Sequence, residues 1–206
     1  MTRIKICGIT RVEDALAAAG CGADAIGFVF FDGSPRYVDI QRAVNICQAL
    51  PPFISAVALF VDAPAEHVSD VLARVPIDLL QFHGDETASY CAQFKKPYMK
   101  AVRVRPELDL LQYASGFSTA KALLLDAYVT GQAGGTGKTF DWDLIPRNLP
   151  LPLVLSGGLT PANVGGAVQK IKPWAVDVSS GVESSPGIKD IAKISEFIKG
   201  VRHADV

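Results

Sequence analysis

The chain has 206 residues, 49% of them apolar, and 20 basic against 21 acidic residues leave a formal charge of −1. At ~100–200 residues per domain this predicts one domain over residues 1–206, long enough to bury roughly 70% of its unfolded surface without a disulfide or a metal. The charge balance excludes the basic stripe of a nucleic-acid or membrane-surface binder. The longest apolar run, Phe53 to Val61, is broken by Ser55 and is too short to cross a bilayer. The opening Met1-Thr2-Arg3-Ile4-Lys5 lacks the pattern of a signal peptide, so a cytoplasmic setting is expected.

In chain order, the first strand is expected at Ile4–Cys7. A helix follows over Arg11–Ala19, opened by Thr10 and Glu13 as a capping box and closed by Gly20 and Gly22. Apolar runs at Ala25–Phe30 and Ser55–Phe60 are the next strands, with a helix at Ala65–Arg74 after the second. Leu79–Phe82, a helix at Thr87–Phe94, Met99–Val102 and Ala122–Asp126 continue the alternation. The sixth crossover is poorer in helix signals: a Gly-rich stretch, then only Asp141–Ile145 before prolines at 146, 150 and 152. Leu153–Ser156 is strand seven, Thr160-Pro161 opens a helix reaching Ile171, and Ala175–Ser179 is strand eight. Ile188, Ile191, Ile194, Ile198 and Val201 fall at steps of three and four, the apolar face of a last helix.

Eight runs rich in Val, Ile, Leu and Phe have the character of parallel strands buried on both faces. They fit a closed (β/α)₈ (TIM) barrel of the α/β class or an open doubly wound sheet. The count of eight, and the lack of a Gly-x-Gly-x-x-Gly after strand one, favour the barrel. Its active site would lie where the strands end.

Those ends present Cys7-Gly8, Ser34-Pro35-Arg36, Asp62, Gln81 to His83, Arg103, Asp126, Ser156-Gly157-Gly158 and Asp177 to Gly181. Gly157 and Gly158 after strand seven, with Asp177, Ser179, Ser180 and Gly181 at strand eight, offer backbone and hydroxyl donors where barrels commonly bind phosphate. Gly131 through Thr139 superficially suggests a Walker A loop, but Gly131 and Gly137 are separated by five residues where that motif requires four. A flap over the substrate is the better reading, with Gly137 and Lys138 near the phosphate.

Of the four cysteines, those at 21, 47 and 91 fall on helical stretches as core residues, whereas Cys7 ends a strand beside Lys5. An electropositive mouth there would lower its pKa and supply a thiolate. Asp126 closes an otherwise apolar run, Leu123-Leu124-Leu125, and an apolar rim would raise its pKa toward that of a general acid. Arg36 has the fork to grip a carboxylate, or is an ordinary solvated arginine. His83 with Gln81 is either a polar wall or the turn into the next helix. His67, His83 and His203 are dispersed, so no metal site is expected.

Lys5-Ile6-Cys7-Gly8-Ile9-Thr10, Gly27-Phe28-Val29-Phe30, Ser34-Pro35-Arg36-Tyr37, Gln81-Phe82-His83-Gly84, Leu124-Leu125-Asp126, Gly134-Gly135-Thr136-Gly137-Lys138, Leu155-Ser156-Gly157-Gly158-Leu159 and Asp177 through Glu183 with Pro186-Gly187 occur in an order that resembles the phosphoribosylanthranilate isomerases. The resemblance runs from residue 3 to about 200, and Phe82, where relatives often carry Leu, is a small departure. It implies a cofactor-free aldose–ketose isomerase of tryptophan biosynthesis that performs an Amadori rearrangement. On that pattern Asp126 is the general acid, Cys7 the general base, and Arg36 the holder of the anthranilate carboxylate, with Gln81 and His83 near the substrate and the last two loops on its phosphate. The partner is a small phosphorylated substrate, and the chain is a monomer or homodimer. The analogous isomerase of histidine biosynthesis carries an aspartate where Cys7 stands and is normally longer. A metal-dependent sugar-phosphate epimerase lacks its histidines here, and a catalytically idle phosphate-binding barrel fits poorly with Cys7, Asp126 and Arg36 all present.

Overall fold

The computed structural model describes residues 1–127 and 141–205. Eight parallel strands close on themselves in sequence order: β1 (Arg3–Cys7), β2 (Ala25–Val29), β3 (Ser55–Phe60), β4 (Leu79–Phe82), β5 (Tyr98–Val104), β6 (Ala122–Ala127), β7 (Leu153–Leu155) and β8 (Ala175–Val178). β8 returns to β1 in the register Lys5↔Asp177, which closes the barrel. The expected strands are all present, shifted by at most two residues at an end.

Helices pack outside: α1 (Val12–Cys21), α2 (Ile40–Ala49), α3 (Ala65–Arg74), α4 (Ala88–Ala92), α5 (Leu110–Gly116), α6 (Val164–Ile171) and α7 (Ile191–Ala204). α2 and α5 had no counterpart in the sequence reading. Both start on an aspartate whose carboxylate accepts free first-turn amides, Asp39 from Arg42 N–H and Asp109 from Leu111 and Gln112 N–H. Among the described residues of the sixth crossover there is one 3-10 turn, Trp142–Leu144. A short antiparallel pair, β9 (Glu183–Ser185) and β10 (Ile188–Lys189), follows strand eight.

Three local expectations are corrected. Thr10 does not cap α1; its hydroxyl donates to the Gly187 carbonyl, and Arg11 takes the N-cap position without a side-chain cap bond. Gly22 does end that helix in the left-handed region, whereas Gly20 lies inside it. α6 begins at Val164 rather than at Thr160-Pro161, because Asn163 accepts from Thr160 N–H and donates to the Gly158 carbonyl, folding 160–163 into a turn. The apolar face of α7 is Ile194, Phe197, Ile198 and Val201; Ile191 is 58% exposed, and Ile188 belongs to β10.

The barrel interior is layered. Toward the strand starts it is filled by Val57, Met99, Ala101, Ala122, Leu124, Val154 and Ala175. Toward the strand ends Cys7 packs with Val29 and Leu59, and the same level carries buried Lys5, Gln81, His83, Asp126 and Asp177. Side chains alternate across a strand, so Lys5 and Cys7 share the inner face of β1, as Gln81 and His83 share that of β4. An apolar plug beneath a ring of buried polar groups positions the site at one end.

Candidate active site at the carboxyl ends of the strands

Cys7, Arg36, Gln81, His83, Asp126, Gly157, Gly158, Asp177, Ser179, Ser180 and Gly181 all line one open cavity at this end. Every expected site residue within the described range is therefore brought together. Gly137 and Lys138, expected near the phosphate, lie outside the described residues.

The Cys7 thiol sits beside Lys5 and beneath the backbone of Gly27. A Cβ on Gly27 would stand 2.8 Å from Cys7 Sγ and 3.0 Å from Lys5 Nζ, so glycine there makes the space both side chains use. Lys5 Nζ pairs with Asp177 Oδ1 at 2.8 Å, both ends buried. Burial works against the ammonium, but Asp177 and Cys7 outweigh it and hold the Lys5 pKa above its ordinary value. The expected low thiol pKa is corrected: burial pushes the Cys7 thiol up, and the help it receives from Lys5 is not enough to reverse that. Asp177 lines the cavity with its side chain already engaged. Its carboxylate is spent on Lys5, with Ser156 Oγ 3.4 Å away, and a carboxylate has no donor for a phosphate.

Asp126 does not face an apolar rim. Its Oδ1 accepts the Ala127 N–H at 2.8 Å, and its Oδ2 lies 3.0 Å from His83 Nε2. Gln81 Nε2 is 2.9 Å from His83 Nδ1, which completes a buried chain Gln81–His83–Asp126. Gly157, at φ 81°, lets the loop after β7 pass close to this carboxyl; a Cβ there would run into the Ala127 amide nitrogen and stand 2.9 Å from Asp126 Oδ1.

Arg36 is neither solvated nor waiting with an empty fork. Its Nε and Nη2 each donate to Glu183, at 2.8 Å, in a bidentate pair. Lys189 Nζ reaches the same carboxylate at 2.9 Å. Burial opposes ionisation of Glu183, but the Arg36 bonds and the Lys189 charge together hold its pKa below the usual carboxylate range. Lys5, Glu183 and Lys189 are the residues that sequence reasoning left without a role. Lys5 was within reach, two positions before Cys7 on the same strand face; Glu183 and Lys189 gave no local signal.

A (β/α)₈ barrel with a buried thiol and carboxyl on one cavity at its mouth, and glycine- and serine-rich loops after strands seven and eight, belongs to the class of acid–base enzymes acting on small anionic substrates. Residues 4–200 match the family model described as N-(5'-phosphoribosyl)anthranilate (PRA) isomerase. The N-(5'-phosphoribosyl)anthranilate isomerase of Nitrosospira multiformis is 58% identical over 199 residues, covering 97% of this chain and 96% of its own length. The crystal structure of phosphoribosyl anthranilate isomerase from Thermotoga maritima superimposes with a TM-score of 0.91 at 43% identity, over 98% of this chain and 100% of that one. A phosphoribosyl anthranilate isomerase solved in complex with reduced 1-(o-carboxyphenylamino)-1-deoxyribulose 5-phosphate gives 0.88 at 41% identity, over 98% and 100%. This chain belongs to the phosphoribosylanthranilate isomerase family.

Proposed function

We propose that this chain isomerises N-(5-phosphoribosyl)anthranilate to 1-(2-carboxyphenylamino)-1-deoxyribulose 5-phosphate, a cytoplasmic step of tryptophan biosynthesis. The observation that carries this reading is that Cys7, Asp126, Arg36 and the loops after β7 and β8 line one cavity. An acid and a base on different strands can then serve two atoms of one sugar while its anionic ends are held apart. Asp126 delivers a proton to the furanose ring oxygen, the C1′–O bond breaks, and the nitrogen lone pair forms the Schiff base. The Cys7 thiolate then removes the C2′ proton, the electrons move into the imine to give the enolamine, and tautomerisation yields the ketone. Lys5 stabilises the thiolate when it forms, and His83 sits where it can restore the Asp126 proton.

Arg36 receives the aryl carboxylate with the part of its fork that Glu183 leaves free. Backbone amides of Gly157, Gly158 and Gly181 and the hydroxyls of Ser179 and Ser180 take the phosphate. The chain acts as a monomer or a homodimer, which sedimentation equilibrium distinguishes. Assaying the purified protein on N-(5-phosphoribosyl)anthranilate and on the aminoribotide of the histidine pathway tests the reading. Turnover of the first well above the second is expected; the reverse preference, or none on either, would overturn it.

A further inference from the structure

Glu183 takes no part in the proton transfers, yet its carboxylate accepts three charged hydrogen bonds at the mouth. Oε1 accepts from Arg36 Nε and Lys189 Nζ, and Oε2 from Arg36 Nη2. Arg36 and Glu183 side chains are only 13% and 5% exposed, and the Lys189 side chain is fully buried. Lys189 Nζ also donates to the Ser179 carbonyl at 3.1 Å, in the loop after β8.

Such an arrangement is a poor way to gain stability. Two cations and a carboxylate must be desolvated, and apolar side chains of similar volume would often do as well. What ionic pairing does supply is direction. A bidentate pair fixes the plane of the guanidinium as well as its position. Arg36 has five N–H donors; Glu183 uses the Nε–H and one Nη2–H on the side edge. The end edge, Nη1 and the second Nη2–H, is left as a second fork, on a residue that lines the cavity. Packing holds the stem as well: a Cβ on Gly8 would run into Arg36 Cδ and Cγ.

We propose that Glu183, held by Lys189, is a positioning residue that sets the plane of Arg36. The run Arg36–Glu183–Lys189–Ser179 thereby fixes the spacing between the subsite for the aryl carboxylate and the loop that takes the phosphate. This rests on the reading of Arg36 given above. A cluster that served only to fasten β9 and β10 to the barrel would make no distinction between substrates with and without a carboxylate.

The test compares N-(5-phosphoribosyl)anthranilate with N-(5-phosphoribosyl)aniline, the same molecule lacking the carboxylate, on the wild type, Arg36→Ala, Glu183→Gln and Glu183→Gln/Lys189→Met. Circular dichroism and a cooperative melt establish that each variant is folded. Glu183→Gln and the double variant are expected to lower kcat/KM about tenfold on the anthranilate substrate, mainly through KM, and less than about twofold on the aniline. Glu183→Asp, which keeps the charge but withdraws it by one methylene, is expected to fall the same way and serves if the others do not fold. Equal losses on the two substrates, or no loss, would overturn the proposal. Arg36→Ala separates the two levels of the argument. If it penalises both substrates alike, the carboxylate reading of Arg36 fails; if it discriminates while the Glu183 variants do not, only the positioning role fails.

Discussion

His83, one residue past β4, and Asp126, near the end of β6, are joined at the barrel mouth over the intervening β5, Nε2 to Oδ2 at 3.0 Å. With that N–H directed at the carboxylate, a neutral imidazole presents Nδ1 as the acceptor for Gln81 Nε2, 2.9 Å away. Gln81 Oε1 is buried with no hydrogen-bond partner. Rotating the amide by half a turn would let Oε1 accept from Nδ1–H, so the same three residues also accommodate the imidazolium. In either orientation of the amide both imidazole nitrogens keep a partner, so the ring is held in place beside Asp126.

His83→Ala is accordingly expected to lower kcat by about 10²-fold, the range of positioned acid–base assistance. Affinity for a product analogue should stay within a few-fold. Unchanged kcat in a folded His83→Ala protein would show that Asp126 works without its partner.

Rate should depend on pH through Cys7. Burial raises its pKa above the ordinary 9.0, so the thiol is the dominant form at neutral pH. If the thiolate is the base, kcat/KM rises with pH and is still climbing at pH 9. Removing the Lys5 cation disfavours the thiolate further, so Lys5→Met should move the ascending limb to higher pH. A limb that stays in place, or moves down, contradicts the assignment of Lys5 as the counter-charge. Cys47 and Cys91, both pushed up to about 12 by burial, add no reactive thiolate to such measurements.

Gly157→Ala probes the close approach of the β7 loop to the acid. At φ 81° an L-residue is strained by about 1–3 kcal/mol, and the added Cβ meets the Ala127 amide and the Asp126 carboxyl. A lowered Tm together with a fall in kcat is expected, read by calorimetry and initial rates on one preparation. A fall in Tm alone would mean the loop relaxes away from Asp126.

The strand skeleton was legible because strands buried on both faces are continuous apolar runs, and such runs need no knowledge of their neighbours. Most positions that line the cavity followed from where those runs stop, although Asp62 and Arg103, also at strand ends, do not line it. What stayed hidden depends on residues far apart in sequence. Thr10 has the pattern of a cap but spends its hydroxyl on Gly187. Arg36 looks like a free fork until Glu183, 147 residues on, is seen to occupy half of it. Cys7 and Asp126 do line one cavity, yet their surroundings were misjudged, since Asp177 and His83 arrive from other strands. Ile188 fits the helical period, but the chain there lies in β10, and α7 begins only at Ile191, whose side chain faces solvent.

Apart from the cavity lining, Lys100 and Glu86 form a fully buried pair at 3.0 Å. Glu86 Oε1 also accepts from Asp62 N–H and Gly84 N–H, so the pair ties the loops after β3 and β4. Lys100→Met leaves that carboxylate without its cation, a loss expected to cost about 3–5 kcal/mol. Lys100→Met/Glu86→Gln should recover part of it. Denaturant unfolding of the three proteins checks this, and a single variant as stable as wild type would contradict it.

The central claim is that Cys7 and Asp126 are the base and acid of one isomerisation. Its most direct measurement is single-turnover kinetics of Cys7→Ala and Asp126→Asn on N-(5-phosphoribosyl)anthranilate, alongside their affinity for a reduced product analogue. Each is predicted to lose about 10²–10⁴-fold in the chemical step while binding the analogue nearly as well as wild type. Near-normal turnover in either variant, with affinity intact, would contradict the account.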